Sequence, residues 1–414
     1  MNSRTQLQQC DILILTGSIG SGHTSVARAI SEAIYRINCE RTARACSEAN
    51  NLALPVVRRA SSKNKEKKRV CIVDFFSVFP AFLTEATKKL YFSALKLSPK
   101  IWGAVFDQST EEKWALKFLN SISAPLAMEK LLTLFSRLRP RVLVSTYPVW
   151  DILARKAWNE YCGGKAFPFI SVITDSITVH SSWISGNPDY FIVSNPDTKT
   201  ALKNLGIHSR KIKTFGYPTS HLFHKHHDCA TFLQNKGLSN KRKTLLLILT
   251  TGTKTSKIKR IASAVSKSKL KNLQLVIVAC VDEKLKKYLE KIAWPCPVYL
   301  TGWTNQMHEF IHGADIVLTK AGGATIMECI ASGKPMIIID MIPGQEIGNA
   351  TMVQKYNLGA ILDENTGNFD ETVQYILDNE KLILKNLKAQ QKPNAAENTA
   401  RFLLQEGNAR LAKK

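Results

Sequence analysis

The chain has 414 residues, 44% of them apolar, more than one comfortable core holds, so two domains are expected. Its 57 lysines and arginines outnumber 33 aspartates and glutamates, and a net charge of +24 points to a negatively charged partner. It has no run of 18 apolar residues and no charged-then-apolar start, so a cytoplasmic chain that does not span a membrane is the expectation. Nine scattered cysteines without a C-x-x-C pair fit reduced thiols.

The first element is an apolar strand, Ile12–Leu15, that runs into a small-residue loop, Gly17-Ser-Ile-Gly20-Ser-Gly22-His23-Thr24-Ser25, and then a helix from Val26 to Ile37. The spacing nearly matches G-x-x-x-x-G-K-[ST], but His23 stands where a phosphate-binding loop needs an ammonium. An imidazole at the tip of a glycine turn suits proton removal better than phosphate binding. The plainer alternative is a turn histidine in an ordinary βα unit.

A basic insert follows at Ala60–Arg69. Residues Phe75 to Val105 then mix aromatic and aliphatic side chains with lysines, the composition of a helix lying among lipid headgroups. Phe79, Phe82, Lys88, Lys89 and Trp102 are the candidates to meet a membrane or a lipid acceptor. The competing reading packs most of that apolar face into the N-terminal domain.

Further short apolar strands recur at Val70–Val73, Val142–Ser145, Phe169–Thr174, Tyr190–Val193 and Lys213–Phe215. A second set follows at Leu245–Leu249, Leu273–Ala279, Val298–Leu300, Ile316–Leu318 and Met336–Ile339. Strands of this kind alternating with helices predict buried parallel sheets, hence an α/β fold of two doubly wound units in series. The predicted organisation is residues 1–220, a polar linker at 221–243, residues 244–390, and a final helix at 391–414. The histidines His221, His224, His226 and His227 lack the carboxylates or cysteines a metal site needs, and no metal is expected. The basic runs carry no nucleic-acid-binding signature, so no nucleic-acid partner is expected either.

The most specific stretch lies in the second half. Gly302-Trp303 is followed by Lys320-Ala-Gly322-Gly323-Ala324-Thr325-Ile-Met-Glu328 and by Pro343-Gly344-Gln345-Glu346-Ile-Gly-Asn349-Ala350. The glycine turn after strand Ile316–Leu318 brings backbone N–H groups close to a ligand, and the following helix aims its positive end at a diphosphate. Glu328, one turn into that helix, can accept both hydroxyls of a ribose. Gln345, Glu346 and Asn349 suit sugar hydroxyls. An ordinary capped helix and exposed loop would explain each piece taken singly.

These residues, with Gly17–Ser25, Val73-Asp74, Thr174-Asp175, His180, Trp183 and Gly216-Tyr217-Pro218, resemble the GT-B glycosyltransferases that glycosylate membrane lipids from UDP-sugars. The pattern is most similar to monogalactosyl- and processive glucosyl-diacylglycerol synthases, relatives of the lipid II-forming enzyme. The resemblance implies an N-terminal domain for the lipid acceptor, a C-terminal domain for the UDP-sugar, and a last helix crossing back to the first domain. It implies inverting hexosyl transfer to diacylglycerol or a similar lipid, without cofactor or metal, by a protein attached peripherally to the inner face of an anionic membrane. His23 or Asp175 would be the base. Gly22, Thr251, Gly252, Gly302, Trp303, Gly322, Gly323, Ala324, Thr325, Glu328, Gln345, Glu346 and Asn349 would line the donor site. Where the family usually carries a glycine-rich loop after Leu249, this chain has Thr250-Thr251-Gly252-Thr253-Lys254. A UDP-sugar 2-epimerase, a lipid II-type N-acetylglucosaminyltransferase and a non-catalytic binding protein of the same fold are the rival readings.

Overall fold

The computed structural model describes residues 10–18, 22–50, 69–78, 127–148, 151–163, 167–225, 227–250, 253, 255–280, 283–342, 346–362 and 368–409. Six strands form an all-parallel N-terminal sheet: β1 (Ile12–Thr16), β2 (Val70–Asp74), β3 (Val142–Ser145), β4 (Phe169–Val172), β5 (Tyr190–Val193) and β6 (Ile212–Thr214). Their spatial order is β2-β1-β3-β4-β5-β6. A second parallel sheet contains β7 (Lys243–Leu249), β8 (Leu273–Ala279), β9 (Val298–Thr301), β10 (Ile316–Lys320), β11 (Met336–Asp340) and β12 (Gly359–Ile361), in the order β12-β11-β10-β7-β8-β9. All residues of β1 and β8 are buried, as continuous apolar strands covered on both faces must be.

Eleven strands coincide with the apolar runs of the sequence to within two residues. β12 has no such signal, being only Gly-Ala-Ile. Its glycine is required by the pairing itself, since a Cβ on Gly359 would lie 1.9 Å from the Met336 carbonyl oxygen.

The longer helices described in the first half are α1 (Gly22–Asn50), α2 (127–138), α3 (Asp151–Cys162) and α4 (Pro196–Asn204), with a single helical turn at Ser182–Ser185. Val26, Ala27, Ile30, Ala33, Ile34 and Ile37 recur at the spacing of one helix face, and all are buried. The stretch 221–243 is not bare coil: a 3-10 turn, His221–His224, is followed by α5 (Cys229–Gln234). The second half adds α6 (Thr255–Ser266), α7 (Glu283–Glu290), α8 (Met307–Gly313), α9 (Gly323–Ser332), α10 (Ile347–Lys355), α11 (Phe369–Asp378) and α12 (Glu380–Gln390). The last helix, α13 (Ala395–Ala409), returns to the first half and packs on α1. Gly407 lets it approach closely, for a Cβ there would sit 3.2 Å from Val142.

In each sheet the strand order reverses at one place, between β1 and β3 in the first and between β10 and β7 in the second. Ligands of open α/β sheets bind outside the carboxyl ends of strands at such switch points. Here the two carboxyl edges meet. A Cβ on Gly22 would lie 3.7 Å from the Ala324 side chain, and one on Gly323 would lie 3.1 Å from the Thr174 carbonyl oxygen.

Candidate active site

His23 occupies the first turn of α1, beside the switch point of the N-terminal sheet. Its Nδ1 is 2.7 Å from the Thr146 carbonyl oxygen and 3.1 Å from Thr174 Oγ1. A carbonyl oxygen only accepts, so Nδ1 carries the proton and Nε2 is left as the basic nitrogen. Tyr147 meets the imidazole edge-on at 4.8 Å between ring centres, and it reaches there because residue 17 is glycine. A Cβ on Gly17 would come within 2.5 Å of the Tyr147 ring. Burial lowers the imidazole pKa to about 4, so His23 is neutral across the physiological range.

Asp175 follows β4 and accepts a 2.6 Å hydrogen bond from the Trp183 indole. Burial raises its carboxyl to about 6, against the lowering effect of that bond. The loops after β1, β3 and β4 thus bring His23, Thr146 and the pair Thr174-Asp175 together from three sequence-distant segments.

Facing them is the N-terminus of α9. Gly322 is its N-cap, and no side chain caps the helix, so its first N–H groups are open to an anion. Glu328 lies one turn in and makes no hydrogen bond or ion pair with another described residue. Burial pushes its carboxyl up to about 8. Asn349 donates from Nδ2 to the Ala321 carbonyl oxygen at 3.0 Å and pins the glycine turn, while its Oδ1 is buried without a partner among the described residues. Glu346 is committed inside the protein: Oε1 pairs with Lys320 at 2.7 Å, and Oε2 accepts from the Ile342 N–H at 2.8 Å. It therefore ties Lys320 at the end of β10 to the Ile342 backbone, a role the sequence pattern does not reveal. A second ion pair, Lys257 with Asp340 at 2.9 Å, braces the carboxyl end of β11.

Gly302 and Trp303 follow β9, the outer strand, and Trp303 is 77% exposed. Thr251, Gly252 and Gln345 lie outside the described residues, as do Phe79, Phe82, Lys88, Lys89 and Trp102. Among the described residues no group of three or more His, Cys, Asp or Glu side chains is placed to hold a metal, and no helix is long and apolar enough to cross a membrane.

Residues 50–219 match the model of monogalactosyldiacylglycerol (MGDG) synthase, and residues 246–406 match the glycosyltransferase family 28 C-terminal domain. The chain thus joins an MGDG synthase domain to a glycosyltransferase family 28 C-terminal domain. The processive diacylglycerol beta-glucosyltransferase of Staphylococcus carnosus (strain TM300) is 25% identical over 377 residues, covering 90% of this chain and 85% of its own length. Among solved structures, S. aureus MnaA in complex with UDP aligns with a TM-score of 0.59 at 12% identity, over 98% of this chain and 97% of that one. Medicago truncatula UGT71G1 with UDP-glucose aligns with a TM-score of 0.57 at 12% identity, over 96% and 98%. At such identities the likeness is one of fold. The two carboxyl edges that face each other here are those of the GT-B architecture, with the glycine turn of α9 in the half that matches the family 28 C-terminal domain.

Sequence reasoning singled out His23, Asp175, Glu328 and the α9 turn, and the structure gathers these at one cleft. It missed Thr146, whose backbone oxygen orients His23, because a carbonyl carries no side-chain signature.

Proposed function

We propose that this chain transfers a hexose from a UDP-sugar to the hydroxyl of a diacylglycerol-type lipid with inversion at the anomeric carbon. The observation that carries this reading is the pairing of a neutral, tautomer-fixed His23 with an uncapped helix N-terminus across one cleft. As the acceptor oxygen bonds to the anomeric carbon, its proton passes to His23 Nε2. The bond from that carbon to the β-phosphate oxygen breaks on the opposite face, and its electron pair leaves with UDP. The N–H groups of Gly323, Ala324 and Thr325 stabilise the charge that grows on the diphosphate, so no metal is required for that task. Glu328 accepts the ribose hydroxyls. Asp175 holds the Trp183 indole, whose ring centre lies 6.3 Å from that of the imidazole that becomes cationic.

The relatives' acceptor and the +24 charge support an anionic membrane surface as the working partner, the protein being attached to it peripherally. Expression in a bacterial host that lacks such glycolipids, followed by mass spectrometry of the lipid extract, tests the activity. A new hexosyl lipid is expected; its absence, together with epimerisation of UDP-N-acetylglucosamine by the purified protein, would replace this reading with the epimerase one. His23→Ala should abolish acceptor-dependent UDP release while UDP still binds, and full turnover in that variant would remove His23 as the base.

A further inference from the structure

Tyr217 belongs to the N-terminal half, yet its side chain ends where the two halves meet. The residue is 6% exposed, and its hydroxyl is buried without a hydrogen-bond partner among the described residues. That arrangement is costly for a phenol, which normally finds a partner when buried. The hydroxyl lies 3.9 Å from the point where a Cβ on Gly22 would stand. The same point is 3.9 Å from the Ala324 backbone nitrogen, so the start of α9 and the Tyr217 hydroxyl both border the start of α1.

The backbone holds the residue there deliberately. Gly216 has φ +103°, a conformation that favours glycine, and a Cβ on it would come within 2.6 Å of Lys392 and 2.8 Å of Ala395. The turn is therefore pressed against the connection between α12 and α13, which fixes where the ring points. Burial above all holds the phenol protonated, and the Glu328 and Asp175 carboxyls add to this wherever they are ionised, so it is a donor seeking an acceptor.

We propose that Tyr217 is a donor-site residue contributed by the N-terminal half: its hydroxyl donates a hydrogen bond to the diphosphate of a nucleotide seated on α9. This rests on the UDP-binding reading above and adds to it a contact from the opposite side of the cleft. A nucleotide held on the C-terminal half then gains a hydrogen bond only when the two halves are closed, and binding favours closure. The contact also strengthens as charge develops on the leaving diphosphate.

Tyr217→Phe in the full chain keeps the ring and removes only the hydroxyl. UDP affinity should fall about tenfold, the loss expected for one hydrogen bond to a charged group. Uridine, which lacks the diphosphate, should bind both proteins equally in competition. The thermal midpoint of the nucleotide-free variant should be unchanged or higher, because a buried unpaired hydroxyl has been removed. Equal UDP affinity in the two proteins overturns the assignment. So does a parallel loss of uridine binding with a lowered midpoint, which would make the phenol a packing group. Absence of UDP binding to the unmodified chain overturns the donor-site reading, and this assignment with it.

Discussion

Glu328 has a carboxyl that burial raises to about 8, above the 4.5 of an exposed glutamate, in a cleft where it finds no partner among described residues. The folded chain therefore keeps a proton there that the unfolded chain releases near pH 4.5. The corresponding stability is fully present below that pH and is lost as pH rises towards 8. Two ribose hydroxyls donating to the group favour its ionised form, so UDP binding should expel the proton. UDP affinity is expected to rise between pH 7 and 8, with proton release visible by calorimetry in buffers of different ionisation enthalpy. Glu328→Gln should abolish both effects, and Glu328→Ala should weaken UDP about ten- to a hundredfold, the worth of a charge-assisted hydrogen bond. A flat pH dependence in the unmodified protein would place the ribose elsewhere. His23 behaves in the opposite sense: its pKa of about 4 leaves it neutral, so it adds no titration near pH 6.5.

Among the elements, α9 carries the most consequence, and its two ends are held differently. The N-terminus is left open at Gly322, with Asn349 steadying the turn before it. The C-terminus closes on Gly333, in the left-handed conformation at φ 67°, and Gln391 donates from Nε2 to the carbonyl oxygens of Ile330 and Ala331, both at 3.1 Å. The Ile330 carbonyl, which also accepts from the Gly333 N–H, and the Ala331 carbonyl thus gain a donor from a residue more than fifty positions later. Gln391→Ala should cost about 1–2 kcal/mol, read as a lower urea midpoint with unchanged slope. UDP affinity should hardly move, since the anion-facing end has its own support. A large loss of affinity would show that the C-terminal anchor sets the position of the whole helix.

At the scale of the molecule, α13 ties the chain's end to its beginning. Phe402 packs edge-on against Tyr190 at 5.2 Å and Phe215 at 5.7 Å, with the Lys213 ammonium 5.7 Å from its ring centre. Phe402→Ala should cost about 2 kcal/mol, less than for a fully buried ring because the residue is half-buried. Asp197 of α4 accepts from Lys355 Nζ at 2.7 Å and from the Tyr356 hydroxyl at 2.6 Å, a second link between the halves. These two partners lower the Asp197 carboxyl, so the link persists above its ordinary pKa and loosens as the solution is acidified through the lowered value. The net charge makes a prediction of its own: the protein should sediment with vesicles containing anionic lipid, and much less with neutral ones or at high salt. Equal sedimentation with both vesicle types would remove the electrostatic attraction from the account.

The sequence by itself determined the α/β class, eleven of the twelve strands and the glycine turns, because a buried parallel strand is a continuous apolar run and a phosphate-facing turn must be made of small residues. β12 escaped it, since three residues carry no period and Gly359 is explained only by the Met336 carbonyl it meets. His23 stood out as an oddity in its motif, but its tautomer depends on the Thr146 carbonyl oxygen 123 positions away. Glu346 looked like a sugar ligand until Lys320 and the Ile342 N–H were seen to engage both its oxygens. Tyr217 stands in the sequence only as the middle of Gly216-Tyr217-Pro218, with no role of its own; the packing of the two halves leaves its hydroxyl buried and without a partner among the described residues. Local pattern fixes which residues are apolar, small or charged. Which polar atoms find partners, and which are left to a ligand, is decided by long-range packing, because the partner of a buried donor is set by distance in space and not along the chain.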